Sequence, residues 1–289
     1  FLPKNSVIVY TNSKNNDFGP TIYTANGKEQ IIFVSSRLST KLINHSDGWT
    51  GYYYNNLFVT EKKSNGKYKR VKLFSRKIQS YLNNGPVSFS SDMKKVYFTR
   101  NAMFNNKAQR SEDGKAKLQI CQADYYNKKK TFDNVVEFAY NDYNYNFAYP
   151  VISSDGKYLY FASDCPGGYG GMDIWMCEWE GDRWGYPVNL GEKVNSAGNE
   201  IFPYIYGSDK LYFSSDGRGG LGGLDIFVTN INSLNGQPIN NADNVGANIN
   251  SLYDDFGIVF RADGKSGFVS SNRSSNDDNI YEFVIQNSF

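Results

Sequence analysis

The chain has 289 residues, with 31 basic against 29 acidic side chains and a formal charge of +2, a balance that excludes the basic stripe of a nucleic-acid-binding surface. It contains no run of about 18 apolar residues, so neither a helical span nor direct membrane insertion is expected. Aromatic residues make up 16% of the chain and Gly occurs 27 times, a composition that favours strands joined by many tight turns.

The chain opens mid-pattern at Phe1, with no visible signal peptide, and is expected to be a piece of a larger multidomain protein. A strand is predicted at Ser6–Tyr10, and after it one phrase recurs five times, about 50–65 residues apart. The clearest copy is Glu200 to Phe227, with strands at Phe202–Tyr206, Lys210–Ser214 and Asp225–Thr229. In each copy a first strand opens near Pro20, Pro86, Pro150 or Pro203, with Gly257 in that place in the fifth. A tight turn follows at Asn26-Gly27, Asp92-Met93, Asp155-Gly156, Ser208-Asp209 and Asp263-Gly264. The second strands align on Phe33, Phe98, Phe161, Phe213 and Phe268. The third carry Asn56–Phe58, Leu118–Ile120, Asp173–Trp175, Asp225–Phe227 and Asn279–Tyr281. Fourth strands are expected at Val71–Phe74, Val135–Phe138, Val188–Leu190 and Asn244–Ala247.

The fifth copy stops after its third strand, and Ser6–Tyr10 supplies the missing fourth. A repeat of this length suits a four-stranded propeller blade, and closing the ring removes two exposed sheet edges. The prediction is an all-β, five-bladed β-propeller forming a single domain over 1–289, with blades at about 18–74, 85–138, 148–190, 201–247 and 255–285 plus 6–11.

Hairpin turns are uniformly short. Length varies in the loops joining second to third strands, such as Arg37–Tyr54 and Arg100–Ala116, which share one face with the polar connectors between blades. Elaboration on one side of a rigid scaffold marks the expected binding face. Its candidate partner contacts are Trp49, Tyr52, Tyr53, Phe104, Tyr143, Tyr145, Tyr169, Arg218 and Arg273, with Tyr149 beside them on a connector.

Chemistry is sparse. His45 is the single histidine, and no nucleophile-elbow, zinc-protease or phosphate-loop motif occurs, so no catalytic residue is assigned. Five-bladed propellers also house glycosidases, which need two placed carboxylates; Asp173, Asp225 and Glu200 are the candidate inner acids, and spacing alone does not show whether they converge. The glycine-rich loops Asp164–Asp173 and Asp216–Asp225 supply two carboxylates each; they admit a calcium-loop reading but read first as braced loops, so no metal or cofactor is expected. Cys121 and Cys177 read as small buried hydrophobes, and a Cys165–Cys177 bridge stays open. Trp175, Trp179 and Trp184 are expected to pack between blades.

The phrases Trp184-Gly-Tyr-Pro-Val-Asn-Leu-Gly191, Asn199-Glu-Ile-Phe-Pro203, Leu211-Tyr-Phe-Ser-Ser-Asp-Gly217 and Gly267-Phe-Val-Ser-Ser-Asn-Arg273 resemble the WD40-like, TolB-type propeller repeat of OmpA-family envelope proteins of Bacteroidota, PorE-like proteins of the type IX secretion system among them. The resemblance covers essentially the whole chain. It implies a non-enzymatic, periplasmic, outer-membrane-associated interaction scaffold for secretion or gliding. A PorP/SprF-like outer-membrane protein or another secretion component would be its partner. The alternatives are a propeller that binds glycan or peptidoglycan fragments and, behind it, a five-bladed glycosidase.

Overall fold

The computed structural model describes residues 6–8, 12–25, 27–38, 53–105, 107–275 and 277–285. They form an all-β ring of five four-stranded antiparallel sheets. Blade 1 comprises Asp17–Ala25, Lys28–Ser35, Asn56–Glu61 and Lys72–Leu73. Blade 2 comprises Asn84–Phe89, Lys95–Asn101, Leu118–Tyr126 and Thr131–Glu137, and blade 3 Phe147–Ile152, Tyr158–Ser163, Asp173–Glu178 and Val188–Asn189. Blade 4 comprises Glu200–Tyr206, Lys210–Ser215, Asp225–Asn230 and Asp243–Asn244. Blade 5 takes Asp255–Phe260, Ser266–Ser271 and Asn279–Val284 from the C-terminal end and Ser6–Ile8 from the N-terminal end. Ser6, Val7 and Ile8 pair with Phe283, Glu282 and Tyr281, so the predicted closure is present.

Burial follows the predicted period. The five aligned phenylalanines are at most 1% exposed, and burying a side chain of that size stabilises by about 1.5–3 kcal/mol. Five hydrophobic clusters fill the five blade interfaces, one of them joining Phe33 of blade 1 to Phe268 of blade 5. Trp175 and Trp184 are buried between blades 2 and 3, whereas Trp179 is 41% exposed and packs only its edge on Trp184. Cys121, Cys165 and Cys177 are all free thiols, so the open question of a Cys165–Cys177 bridge closes against it.

The connectors between blades are fastened by a repeated amide clamp. Asn12 donates to the carbonyl of Ile280 at 2.8 Å and accepts its N–H at 3.1 Å. The same two-way contact joins Gln79 to Leu57, Asn141 to Ile120, Asn195 to Ile174 and Asn250 to Ile226. A second bond crosses each blade boundary. The backbone N–H groups of Asp278, Asn55, Leu118, Met172 and Leu224 donate to the side chains of Asn16, Asn83, Asn146, Asn199 and Asp254. The polar connectors predicted to face a partner are therefore committed to the ring itself.

Candidate functional site

The inner strands carry a fivefold irregularity. Each has a bulge, between Phe18 and Thr21, Asn84 and Val87, Ala148 and Val151, Ile201 and Tyr204, and Phe256 and Val259. The prolines sit in these bulges, inside the strands rather than at their starts as the sequence reading had them. A bulge on the axial edge leaves residues unpaired, so proline there forfeits no ladder hydrogen bond.

The first residue of each bulge, which precedes the proline in four of the five, decides how the axis is filled. Gly19 and Gly257 adopt φ of 59° and 60°, as a bulge of this kind allows glycine to do. Tyr149 and Phe202 adopt 56° and 52°, a conformation that costs aromatic residues on the order of 1–3 kcal/mol each. Their rings stack across the axis at 4.1 Å, and Phe202 meets Phe256 at 5.0 Å and Phe18 at 6.3 Å. Thr99 Oγ1 accepts the Tyr149 N–H at 2.8 Å and holds the strained backbone. Four aromatic side chains thus plug the ring toward the loop face.

Between the plug and the hairpin-turn face lies a cavity of about 620 Å³, within the range of ligand pockets. Its wall is a collar of Pro20, Pro86, Pro150 and Pro203 with Val87, Phe89 and Phe260. Polar groups are few: Thr21 and Ser88 on the wall, Thr24, Glu29, Arg261 and Asp263 at the mouth, and Tyr149 on the floor. Burial pushes the Tyr149 phenol up to about 12, and its hydroxyl has no hydrogen-bond partner among the described residues, which leaves it free to meet a ligand.

The mouth is electrostatically set. Arg261 reaches Glu29 through two nitrogens, at 2.7 and 3.1 Å, and Glu282 at 2.5 Å; Lys62 pairs with Glu282 at 2.6 Å. Burial alone would raise the Glu282 carboxyl, but Lys62 and Arg261 outweigh it and hold it below the usual range. Asp263 is held down to about 2 by the Ser266 hydroxyl and then by the amides of Lys265 and Ser266, so it stays ionised.

The loop-face candidates scatter. Trp49, Tyr52 and His45 lie outside the described residues. Tyr53, Phe104 and Tyr169 are exposed, Phe104 on a small hairpin of Met103–Phe104 with Lys107–Ala108. Tyr143 and Tyr145 are half-buried, and Tyr145 packs against the core between blades 2 and 3. Arg218 caps the carbonyls of Val194 and Glu192. Two readings need correction. Arg273 is a buried ion partner of Asp255 with its side chain 2% exposed, because the charge at the head of blade 5 needs neutralising inside the sheet. Tyr149 belongs to the axial plug, because the bulge turns it inward. The signal for the axial site was in the sequence, as an aromatic residue where two other copies carry the left-handed glycine of the bulge.

No family model and no curated protein matches this chain. Solved structures do. The chain is similar to a structure described as a glycoside hydrolase, at a TM-score of 0.64 and 9% identity over 97% of this chain and 91% of that one. It is similar to an endo-arabinase from Bacteroides thetaiotaomicron, at a TM-score of 0.57 and 14% identity over 98% of both. It is also similar to CoXyl43, a GH43 β-xylosidase/α-arabinofuranosidase from a compost microbial metagenome, at a TM-score of 0.59 and 12% identity over 99% and 96%. These likenesses overturn the expectation that the chain is no enzyme, which took lack of catalysis as a family trait; the ring it shares is one on which glycoside hydrolases are built. What the chain has in common with them at this identity is the five-bladed fold.

Proposed function

We propose that the chain is a carbohydrate-directed propeller that holds a glycan in the axial cavity. The observation that carries this reading is the cavity itself: apolar proline and aromatic walls, a free phenol on the floor, and a rim of threonine, carboxylate and guanidinium groups. Sugars present apolar C–H faces edged with hydroxyls, and such a lining meets both. The fold shared with glycoside hydrolases supports the same substrate class. The test is a glycan binding screen with wild type and Thr24→Trp, which places an indole across the mouth. Binding weakened at least about tenfold with an unchanged melting temperature supports the reading; equal affinity refutes it. Reducing-sugar release by the same samples separates hydrolysis from simple binding.

Hydrolysis has its own observation. Burial, and after it the carboxylates of Asp254 and Asp277, raise the Asp278 carboxyl to about 6. A carboxylic acid still protonated near neutrality suits the general-acid half of glycoside hydrolysis. This second reading competes with the axial one, since it needs the sugar on the loop face, where Asp278 would protonate the leaving oxygen. Asp278→Asn then lowers turnover at pH 6 at least about a hundredfold, and undiminished turnover removes the assignment. The periplasmic placement and an envelope protein partner rest on the sequence phrases quoted above, and capture of a defined partner by the intact loop face would test them.

A further inference from the structure

Blades 1, 4 and 5 each begin their inner strand with a fully buried carboxylate, Asp17, Glu200 and Asp255 in that order. In blades 1 and 5 a guanidinium neutralises it: Arg37 lies 2.6 Å from Asp17, and Arg273 pairs with Asp255. The third-strand residue in the same row is uncharged, Asn56 in blade 1 and Asn279 in blade 5. Blade 4 departs on both counts. Where the other two carry arginine it has Gly217, and a Cβ there would sit 2.1 Å from Ser196 Oγ and 2.6 Å from the Gly198 nitrogen, so no side chain fits. Its third-strand residue is Asp225.

Strand register sets Glu200 opposite Ser215 and Ser215 opposite Asp225, so both carboxylates lie on one face of the sheet with Ser215 between them. They are 0% and 1% exposed. Glu200 accepts from Ser215 Oγ at 2.5 Å and from the Ser196 hydroxyl and N–H at 2.6 and 2.8 Å, and Asp225 Oδ2 accepts from the Leu221 N–H and from Asn244. Asp225 Oδ1 is buried with no partner, as is Asp173 Oδ1 in blade 3, but only in blade 4 does a second buried carboxylate share the row, and among the described residues no cationic side chain pairs with Glu200 or Asp225. Buried charges are ordinarily paired or bound to a metal, and two of one sign without a counterion are costly.

We infer that blade 4 binds a calcium ion between Glu200 and Asp225, where blades 1 and 5 use arginine. One carboxylate is balanced there by one guanidinium; two carboxylates are balanced here by one divalent ion. All the donors are oxygen, which suits a hard cation. No three His, Cys, Asp or Glu side chains converge among the described residues, so Ser215 Oγ, backbone carbonyls and water complete the shell, as calcium accepts.

The experiment compares the chain after chelation and in millimolar calcium, by melting temperature and by bound metal per chain. The expected result is one calcium per chain and a rise of about 5 °C. Glu200→Gln and Asp225→Asn each abolish both signals; Asp225→Asn restores the asparagine of blades 1 and 5 and folds. Asp173→Asn, in the same row of blade 3 but opposite Ser163 and Phe147, keeps the response. Absence of bound metal with equal melting in chelator and calcium overturns the inference, as does a response that survives in Asp225→Asn.

Discussion

Asn12→Ala tests the closure of the ring at its seam. Asn12 follows the N-terminal strand, and both arms of its amide engage Ile280, at 2.8 and 3.1 Å. Ile280 is 1% exposed, so truncation leaves a buried N–H and a buried carbonyl unpaired. Each orphaned group costs about 1–3 kcal/mol, which puts the loss near 3 kcal/mol. For a chain of this length that is a fall in melting temperature of about 6 °C. The assay is urea denaturation beside thermal melting, with Asn250→Ala as the comparison, since Asn250 makes the same clamp on Ile226 within the continuous chain. A closed ring makes the two variants comparable. If Asn12→Ala stays within about 0.5 kcal/mol of wild type while Asn250→Ala does not, the seam carries no load and the reasoning fails.

Other perturbations follow from buried charge. Arg273→Ala strands the Asp255 carboxylate inside blade 5 and is expected to cost about 3–5 kcal/mol, read by denaturation; a loss under about 1 kcal/mol would contradict the buried pair. Asp278 holds its proton more tightly folded, up to about 6, than unfolded at about 3.9, so stability falls as pH rises through that window. Solvent screening at this half-buried site trims the effect to about 1–2 kcal/mol. Asp278→Asn should therefore be the more stable protein at pH 7 and equal to wild type below pH 4, and a flat difference across the range would contradict the shift.

The blades were legible because they rest on local chemistry: alternating apolar residues, Asn-Gly and Asp-Gly turns, and one phenylalanine per second strand. Closure was legible because one fourth strand was missing at one end and present at the other. The axial cavity was not, since its depth depends on how five bulges tilt five strands. Pro150 and Pro203 mark those bulges, but the same prolines also suit a strand start. Loop length drew attention to the opposite face, where the asparagines turned out to fasten blades. Their bonds to Ile280, Leu57 and Ile174 join residues about 20 or more positions apart, and a sequence shows the spacing without the contact. Arg273 read as a surface charge because its partner Asp255 lies 18 residues away, at the start of the inner strand.

The most direct measurement is a crystal structure with a glycan taken from the binding screen. The expected result is sugar density in the axial cavity, a ring face against Pro86 and Pro150 and a hydroxyl bonded to Tyr149 Oη. Sugar held on the loop face with the axial cavity unchanged would contradict it.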